Sequence, residues 1–289
     1  MKKLSYLFIC LFACSSIFVS CSDDEDQALE ISFANNENTT TLASGKTSYE
    51  INATISSTAG LKEVKWFVVS SGGEDQLGMV ESFTNKNRYD FKQTFDAYEE
   101  TVIKISATDK DNITTTRNFT IKVTATETPA GATVSIWPDR VLGAQSNATS
   151  GSSCASADGV VYLQAAAKAN ITKVDFIYFY QTGGRLAELV SPAKANLSWL
   201  PATGKNDTKY TETLGITDAQ YNNITETNGS ELIDGLVTDA TATKEWADNL
   251  AAGNYVGFIT QAGKKGIIKI TSVTGTEAGS IKIDIKVKK

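Results

Sequence analysis

The sequence predicts a mainly β protein of two units, an antiparallel β-sandwich followed by an α+β unit whose antiparallel sheet carries short inserted helices. Two observations predict it. Apolar and polar residues alternate through most of residues 28–125, which is the pattern of strands with one buried face. Beyond residue 131, similar strands are interrupted by short segments with helical spacing of apolar residues. The 289 residues are enough for two domains of ordinary size.

Residues 1–20 are typical of a secretory signal peptide. Lys2 and Lys3 precede an uncharged apolar run, which is too short for a comfortable transmembrane helix. The sequence Val-Ser-Cys at 19–21 resembles a bacterial lipobox, which implies cleavage before Cys21 and acylation of its thiol and of the new amine. The acyl chains would hold the mature protein at a membrane. An ordinary cleaved signal peptide with an incidental cysteine is the alternative.

An acidic run follows Cys21, and it consists of Ser22, Asp23, Asp24, Glu25 and Asp26. It is similar to the export signal of Bacteroidetes-type surface lipoproteins. The resemblance implies that residues 21–27 form a lipidated acidic tether and that the protein is anchored in the outer membrane, facing the cell exterior. The alternatives are a solvated spacer, which short acidic runs often form, and retention in the periplasm.

Charge and composition exclude several functional classes. The chain has 27 basic and 33 acidic residues, and an acidic chain without a basic stripe is a poor partner for nucleic acid. It contains no histidine, which excludes a Ser-His-Asp triad, a Cys-His pair and an imidazole zinc site. Pairs of carboxylates remain possible. No dinucleotide-binding fingerprint occurs, and we expect no cofactor.

Cys154 is the one cysteine left for the folded protein, because Cys10 and Cys14 lie in the signal peptide and Cys21 is the lipidation site. No intramolecular disulfide can then form, so stability must come from packed cores. Without a histidine base Cys154 is a poor nucleophile, and a small buried filler is the favoured interpretation.

Seven alternating segments predict the strands of the first unit: 28–33, 47–55, 61–69, 78–83, 87–95, 101–108 and 113–124. About seven strands in about 100 residues fits an Ig-like sandwich, and Trp66 falls in the third strand, where such a core often holds a large aromatic. The sequence Ser-Ala-Thr-Asp at 106–109, followed by Asn112, resembles bacterial Ig-like repeats of the polycystic-kidney type. Residues 28–125 are therefore expected to form an Ig-like domain.

Asp109 and Asp111 suggest half of a calcium site. Calcium takes six to eight oxygen ligands, and only these two carboxylates can be assigned from the sequence. A turn in which Asp and Asn bond the local backbone is the favoured interpretation. No metal site is predicted.

Residues 126–131 are typical of a short linker before a second unit at 132–289. We predict a loop at 143–158 and strands at 134–137, ended by Pro138, and at 171–181, 255–259, 266–270 and 281–287. Helices are predicted at 163–169, 216–224, 230–236 and 242–250. The strand at 171–181 is apolar on both faces, which indicates a central position. The Gly-Lys turn at 263–266 indicates a hairpin, with which the last strand pairs.

Three marks of the second unit carry a resemblance. They are Val161-Tyr162 before an Ala-rich helix, the apolar strand at 175–180 and the Gly-Lys turn into an Ile-rich strand. Together they are similar to a C-terminal unit of uncharacterised surface lipoproteins of the same bacteria. The resemblance implies no activity.

Trp199 is the predicted ligand-binding residue. It lies in a loop bounded by Pro192 and Pro201, without helical or strand periodicity to bury it. An exposed indole face is suited to stacking against a sugar ring. Trp246 is assigned to the core instead, because Ala242, Trp246 and Leu250 share one helical face.

The order of anchor, Ig-like spacer and distal unit resembles that of outer-membrane glycan-capture lipoproteins. We therefore expect a non-catalytic surface lipoprotein that binds extracellular glycan or another ligand through its C-terminal domain. One alternative is a cell-adhesion or surface-assembly component, for which both domains are interaction surfaces. A weaker alternative is a glycosidase that uses a pair of carboxylates.

Overall fold

The computed structural model describes residues 29–43, 47–70, 72–124 and 131–289. The predicted signal peptide, the lipidation site Cys21 and the acidic residues 22–26 lie outside this part of the chain, as does most of the predicted linker 126–131. The described residues are mainly β, as the sequence predicts, with 18 strands and three short α-helices. None of these helices is long and apolar enough to cross a membrane.

The first unit consists of two facing sheets. Its strands are β1 (Glu30–Phe33), β2 (Thr39–Leu42), β3 (Ser48–Ser56), β4 (Leu61–Ser70), β5 (Gly73–Val80), β6 (Arg88–Asp96), β7 (Thr101–Asp109) and β8 (Thr114–Val123), with a 3-10 turn at Ala34–Asn36. One sheet has the order β1-β3-β6 and the other β2-β8-β7-β4-β5. Neighbours are antiparallel except β2 and β8, which run parallel. Two such sheets around one apolar core are an Ig-like arrangement.

Two strands of the first unit differ from the prediction. The prediction misses β2, because its three threonines give no apolar alternation and only Leu42 is buried. The predicted strand 78–83 is wrong in position, since β5 already begins at Gly73. Gly73 has a φ of +127° and pairs with Ser70, so a tight hairpin follows β4 directly.

The second unit contains ten strands and three helices. They are β9 (Val134–Gly143), β10 (Ser153–Cys154), β11 (Val161–Tyr162), α1 (Gln164–Ala169), β12 (Phe176–Phe179), β13 (Glu188–Val190), β14 (Lys209–Thr213), α2 (Asp218–Asn222), α3 (Gly229–Leu236), β15 (Trp246–Ala247), β16 (Tyr255–Ile259), β17 (Lys265–Thr274) and β18 (Ser280–Lys288). The sheets have the orders β14-β16-β17-β18-β9 and β11-β10-β12-β13-β15. They face each other across one apolar cluster to which both contribute.

Several predicted elements of this unit are confirmed. β16 and β17 form the hairpin, and β18 pairs with β17 along most of its length. The three helices lie where the predictions 163–169, 216–224 and 230–236 place them. α2 begins with a capping box, in which Gln220 N donates to Thr217 Oγ1 and Thr217 N donates to Gln220 Oε1.

The expected end of the first strand at Pro138 is wrong, because β9 continues to Gly143. β9 is an edge strand, where a proline without an N–H group breaks no necessary pairing. The register shifts between Ile283 and Ile285 of the neighbouring strand, and Asp139 has a φ of +58°. Asp139 N donates to Asp284 Oδ1 at 2.8 Å, so a bulge absorbs the proline.

The predicted strand 171–181 is shorter than expected. Only β12 is extended, and Ile171 and Val174 are buried in turns before it. β12 is nevertheless central and covered on both faces, since Phe176 and Tyr178 join one apolar cluster and Ile177 joins another.

The predicted helix 242–250 is wrong. Its three apolar residues are separated, with Ala242, Leu250 and Trp246 each packing against a different apolar cluster. Lys244 exchanges backbone hydrogen bonds with Tyr210, and β15 follows immediately. The three residues are buried in three different places, so their helical spacing is accidental and does not indicate a helix.

The two units touch through polar contacts. Tyr98 Oη accepts a hydrogen bond from Val141 N at 2.8 Å, and the Arg140 guanidinium lies 4.7 Å from the centre of the Tyr98 ring. Ser150 Oγ donates to Asp96 Oδ2 at 2.8 Å. Ala165 N donates to Asp75 Oδ2 at 2.7 Å. The first unit thereby caps a helix of the second, because α1 has Leu163 at its N-cap and no capping side chain of its own.

We expect Asp75→Ala to destabilise α1 by about 1 kcal/mol, the usual cost of losing an N-cap. Amide hydrogen exchange at Ala165 should then become faster. Asp75→Asn keeps an acceptor oxygen and should retain most of the protection. Unchanged exchange at Ala165 in Asp75→Ala would show that the contact between the units does not support the helix.

Candidate functional site

Trp199 lies in a turn that is closed by a hydrogen bond from Leu200 N to Leu197 O at 3.2 Å. Its indole is half-buried and packs against the buried apolar cluster behind β12. It also lines an open pocket of about 260 Å³. The side chain is therefore neither the fully exposed platform that the loop position suggests nor a core residue. It is an anchored aromatic at the edge of a pocket.

The pocket combines apolar and amide side chains. Phe179, at the end of β12, lines it together with Leu163 and Leu197, and both Phe179 and Trp199 are half-buried. Gln164 lies at the start of α1 and is exposed. Every lining side chain is uncharged.

The loop at 144–152 forms one wall and is held by its own side chains. Asn147 Oδ1 accepts hydrogen bonds from Thr149 N and Ser150 N, and Asn147 Nδ2 donates to Gly279 O at 2.9 Å. Gln145 pairs with the backbone of Tyr180 in both directions. The loop therefore does not need to be ordered by a ligand, which lowers the entropic cost of binding.

This geometry suits a small neutral polar ligand. Aromatic side chains offer apolar faces for the CH groups of a sugar ring, and amides both donate to and accept from hydroxyl groups. The absence of charge along the lining favours a neutral sugar over an ionic ligand.

No protein-family model matches this chain, and no curated protein matches it. Among solved structures, the chain is similar to a DUF4466 family protein from Parabacteroides merdae, at 12% identity and a TM-score of 0.39, over 91% of this chain and 99% of that one. It is also similar to fibronectin(III)-like modules of Clostridium thermocellum CbhA, at 17% identity and a TM-score of 0.23, over 34% of this chain and 47% of that one. Both TM-scores are below 0.5, so neither similarity carries an argument about this protein.

Trp246 lies on β15, not on a helix, and is half-buried. It packs against the same apolar cluster as Trp199. The Arg185 guanidinium lies 4.3 Å from the centre of its ring and donates to the buried Glu188 carboxylate. Arg185 therefore covers one face of the Trp246 indole, and Trp246 does not line the pocket at Trp199.

Asp109 and Asp111 do not converge on a shared centre. Asp109 is buried at the end of β7, and its Oδ1 atom accepts hydrogen bonds from Asp111 N at 3.0 Å and Ile113 N at 2.9 Å. Asp111 is exposed. This is the turn geometry in which an Asp bonds the local backbone. No group of three or more His, Cys, Asp or Glu residues that could hold a metal occurs in the described part of the chain.

Cys154 is completely buried on β10, and burial raises the pKa of its thiol well above the ordinary value. A neutral thiol in an apolar cluster is a small packing residue.

Sequence reasoning missed the partners of Trp199. The sequence places Phe179 on a long central strand and Gln164 on a helix, and neither placement indicates which loop they face. The composition of residues 143–158 predicts a loop, but it does not indicate which residues that loop faces. Only the fold shows that this loop and Trp199 meet.

Proposed function

We propose that the protein is a non-catalytic lipoprotein of the outer-membrane surface that captures extracellular glycan, and that the pocket at Trp199 is its binding site. The observation that carries the proposal is the pairing of the half-buried Trp199 and Phe179 with an uncharged wall that is already ordered. The anchoring part of the proposal rests on the lipobox-like sequence ending at Cys21 and on the acidic run at 22–26.

Two observations support a binding role over catalysis. The chain contains no histidine, and its buried Cys154 has a raised thiol pKa. The Trp199 pocket has no acidic side chain in its lining, whereas a glycosidase needs two carboxyl groups facing its substrate. Adhesion remains the alternative outcome of the binding experiment below.

We expect Trp199→Ala to weaken glycan binding by about 1–3 kcal/mol, because an aromatic anchor is lost from a small site. The mature chain with Cys21→Ala is screened on a glycan array, and the affinity for the best ligand is measured by calorimetry. Gln164→Ala should weaken binding by about 0.5–1.5 kcal/mol through one lost hydrogen bond. Because Gln164 is exposed, its replacement should leave the denaturation midpoint unchanged.

Trp246→Ala is the matched control, since it removes an indole from the same apolar cluster without touching the pocket. Trp199→Ala and Trp246→Ala should both lower stability, and only Trp199→Ala should lower affinity. If Trp199→Ala and Trp246→Ala lose affinity equally, the effect comes from impaired folding and the pocket is not the binding site. If no glycan binds and the chain instead aggregates cells or coated beads, the adhesion alternative holds.

We expect Cys21→Ala to release the protein from the membrane fraction, because lipid burial is the proposed anchor. Fractionation after a high-salt wash, with immunoblotting of the pellet and supernatant, measures this. Asp23→Ala and Asp24→Ala leave the cysteine intact and should preserve membrane attachment while reducing surface exposure to added protease. A Cys21→Ala protein that stays in the pellet would contradict the lipoprotein assignment.

A further inference from the structure

A second pocket in the C-terminal unit shares no lining residue with the Trp199 pocket. It has a volume of about 490 Å³ and lies between the loop at 155–158, the turn between β16 and β17, and the end of β18. The exposed Ala157 and Ala262 contribute apolar surface, with Ala155 and Val287 buried behind them. A volume of a few hundred Å³ with an apolar lining and a few polar groups is typical of a site for a small organic molecule.

The walls of this pocket are fixed by hydrogen bonds. Asp175 is buried, and its Oδ2 atom accepts from Ser156 N at 2.9 Å and Ser156 Oγ at 2.5 Å. Asn206 Nδ2 donates to Thr172 O at 3.0 Å and to Val174 O at 2.9 Å. These bonds connect the loop at 155–158, the residues just before β12 and the backbone around Asn206, so the site is ordered without a ligand.

The rim carries an excess of positive charge. Four lysines line the pocket against two aspartates, Asp158 and Asp175. Lys288 is paired with Asp234, whereas no carboxylate of the described residues lies within ion-pair distance of Lys173 or Lys264.

The two aspartates are engaged in the pocket wall. Asp175 bonds Ser156, and burial raises the pKa of the Asp175 carboxyl. Asp158 Oδ1 accepts a hydrogen bond from Val160 N at 3.2 Å. Asp158 is exposed and keeps its charge. The four lysines still outnumber Asp158, Asp175 and the Asp234 that pairs with Lys288, so the pocket has a positive excess although the whole chain has a formal net charge of −6.

The turn that carries Lys264 is itself ordered. Thr260 N donates to Lys264 O at 2.9 Å, and Lys264 N donates to Thr260 Oγ1 at 3.1 Å. On the other side, Lys173 N donates to Asn170 O at 2.8 Å in the turn after α1. Both ammonium groups are carried by fixed backbone and remain exposed at the rim.

We propose that this pocket binds a small organic carboxylate, such as an acidic monosaccharide, whose carboxylate is met by Lys173 and Lys264 while its body rests on Ala157 and Ala262. A point charge on a flexible stem suits a carboxylate that does not demand bidentate geometry. The apolar lining requires an organic body, which an inorganic ion lacks. The site is independent of the proposed neutral-sugar pocket at Trp199.

The test is an NMR titration of the Cys21→Ala mature chain with glucuronate, with glucose as the neutral probe and inorganic sulfate as the anion without a body. Glucuronate should produce saturable shifts of the Ser156, Asn206 and Thr260 amides, and the Trp199 indole N–H should not move. Affinity should fall about five- to tenfold in Lys173→Met and in Lys264→Met, and should weaken as salt is added. Lys168→Met, an exposed lysine on α1, should bind as the unmodified chain does.

Several outcomes would overturn the proposal. The carboxylate plays no part if glucose gives the same shifts, and the apolar body plays none if sulfate competes as strongly as glucuronate. Equal losses in Lys168→Met and Lys264→Met would reduce the effect to overall charge. Shifts confined to Trp199 and Gln164 would place acidic sugars in the other pocket. The absence of any saturable shift by glucuronate would reject the site.

Discussion

Trp66→Ala should lower the free energy of unfolding by about 3–5 kcal/mol, the usual cost of deleting a buried aromatic. Trp66 is buried on β4, and its ring meets that of Phe91 edge to face at 5.4 Å between centroids. β4 belongs to one sheet of the Ig-like unit, and Phe91 lies on β6 of the other. The pair therefore connects the two sheets, and the alanine would leave a cavity between them. Urea denaturation followed by circular dichroism measures the loss.

The contact between Gly78 and the Trp66 indole allows a more specific test. Gly78 pairs with Trp66 across β4 and β5, and a Cβ atom at position 78 would lie 2.1 Å from Trp66 Cζ2. The indole thus occupies the place of the missing side chain, which is how aromatics cover glycines in sheets. Gly78→Ala should cost about 1–3 kcal/mol by displacing the ring. In a Trp66→Leu background the same change should cost little, because the closest atoms are gone.

The control for Gly78→Ala is Gly235→Ala on α3. Apart from its chain neighbours and the backbone of its own helix, no atom lies within 4 Å of a Cβ placed there. The residue is helical, so alanine should stabilise the protein by about 0.5–1 kcal/mol. The coupling energy between positions 66 and 78 is obtained from the double-mutant cycle. Additive effects at the two positions would show that the indole does not depend on the glycine.

Apart from β2 and the position of β5, the strands of the first unit could be predicted from the sequence, and the reason is local. Each strand buries one face, so the alternation of apolar residues shows directly which of them face the core. Examples are Ile51, Ala53 and Ile55 on β3, and Ile103, Ile105 and Ala107 on β7. β2 could not be found in this way, since its threonines are exposed or half-buried and its place depends on pairing with β8. Such a strand is defined by its neighbour and not by its own pattern.

The second unit was predicted less well because its elements are short. Two-residue strands such as β10, β11 and β15 carry too few residues for a period to be detected. The apolar residues of 242–250 matched a helix although they serve three clusters. The candidate site is the hardest part to predict from the sequence, because Phe179, Gln164 and Trp199 come from separate segments of the chain. Trp199 is the one residue of the site that the sequence identifies. Its partial burial depends on packing against residues that only the folded structure brings close to it.

β18 shows the same limit within a single strand. Its alternation assigns Ile281, Ile283 and Ile285 to a buried face, which is correct. The opposite face of a strand is usually solvated, yet Lys286 is also buried there. An apolar cluster containing residues of α2, α3 and β17 covers that face of the sheet. Because Lys286 is charged and buried, we expect it to contribute to the stability of the fold.

Lys286→Met should lower the free energy of unfolding by about 2–4 kcal/mol. Lys286 Nζ donates to Tyr221 O at 2.8 Å and to Ile224 O at 2.7 Å, at the end of α2. It also lies 4.2 Å from the centre of the Tyr221 ring. Losing the donor leaves two carbonyl groups without it, at about 1–3 kcal/mol, and a partly desolvated cation–π contact adds about 1–2 kcal/mol. Removing the ammonium also removes the cost of its desolvation, which offsets part of this loss. Methionine fills a similar volume, so the loss measures the ammonium group and not a cavity.

Lys282→Met on the same strand is the control. Lys282 pairs with Asp139 at 2.6 Å at the surface, and such a pair contributes at most about 1 kcal/mol. Denaturant melts of the two variants should therefore separate clearly. Equal stability losses would mean that Lys286 behaves as a surface lysine and that the end of α2 does not depend on it.

The pH dependence gives the last test of Lys286. Burial lowers the pKa of its ammonium from the ordinary 10.5. In the pH range between the lowered folded-state pKa and 10.5, the unfolded lysine binds more protons than the folded one, so stability increases with pH there. The stability difference between the unmodified protein and Lys286→Met should thus widen as the pH rises through that range. Tyrosines ionise alike in the two unfolded chains, and in the folded protein burial raises the pKa of Tyr221, which contacts Lys286, well above its ordinary value. A difference that narrows with rising pH would show that the folded protein favours the charged amine, contrary to its burial.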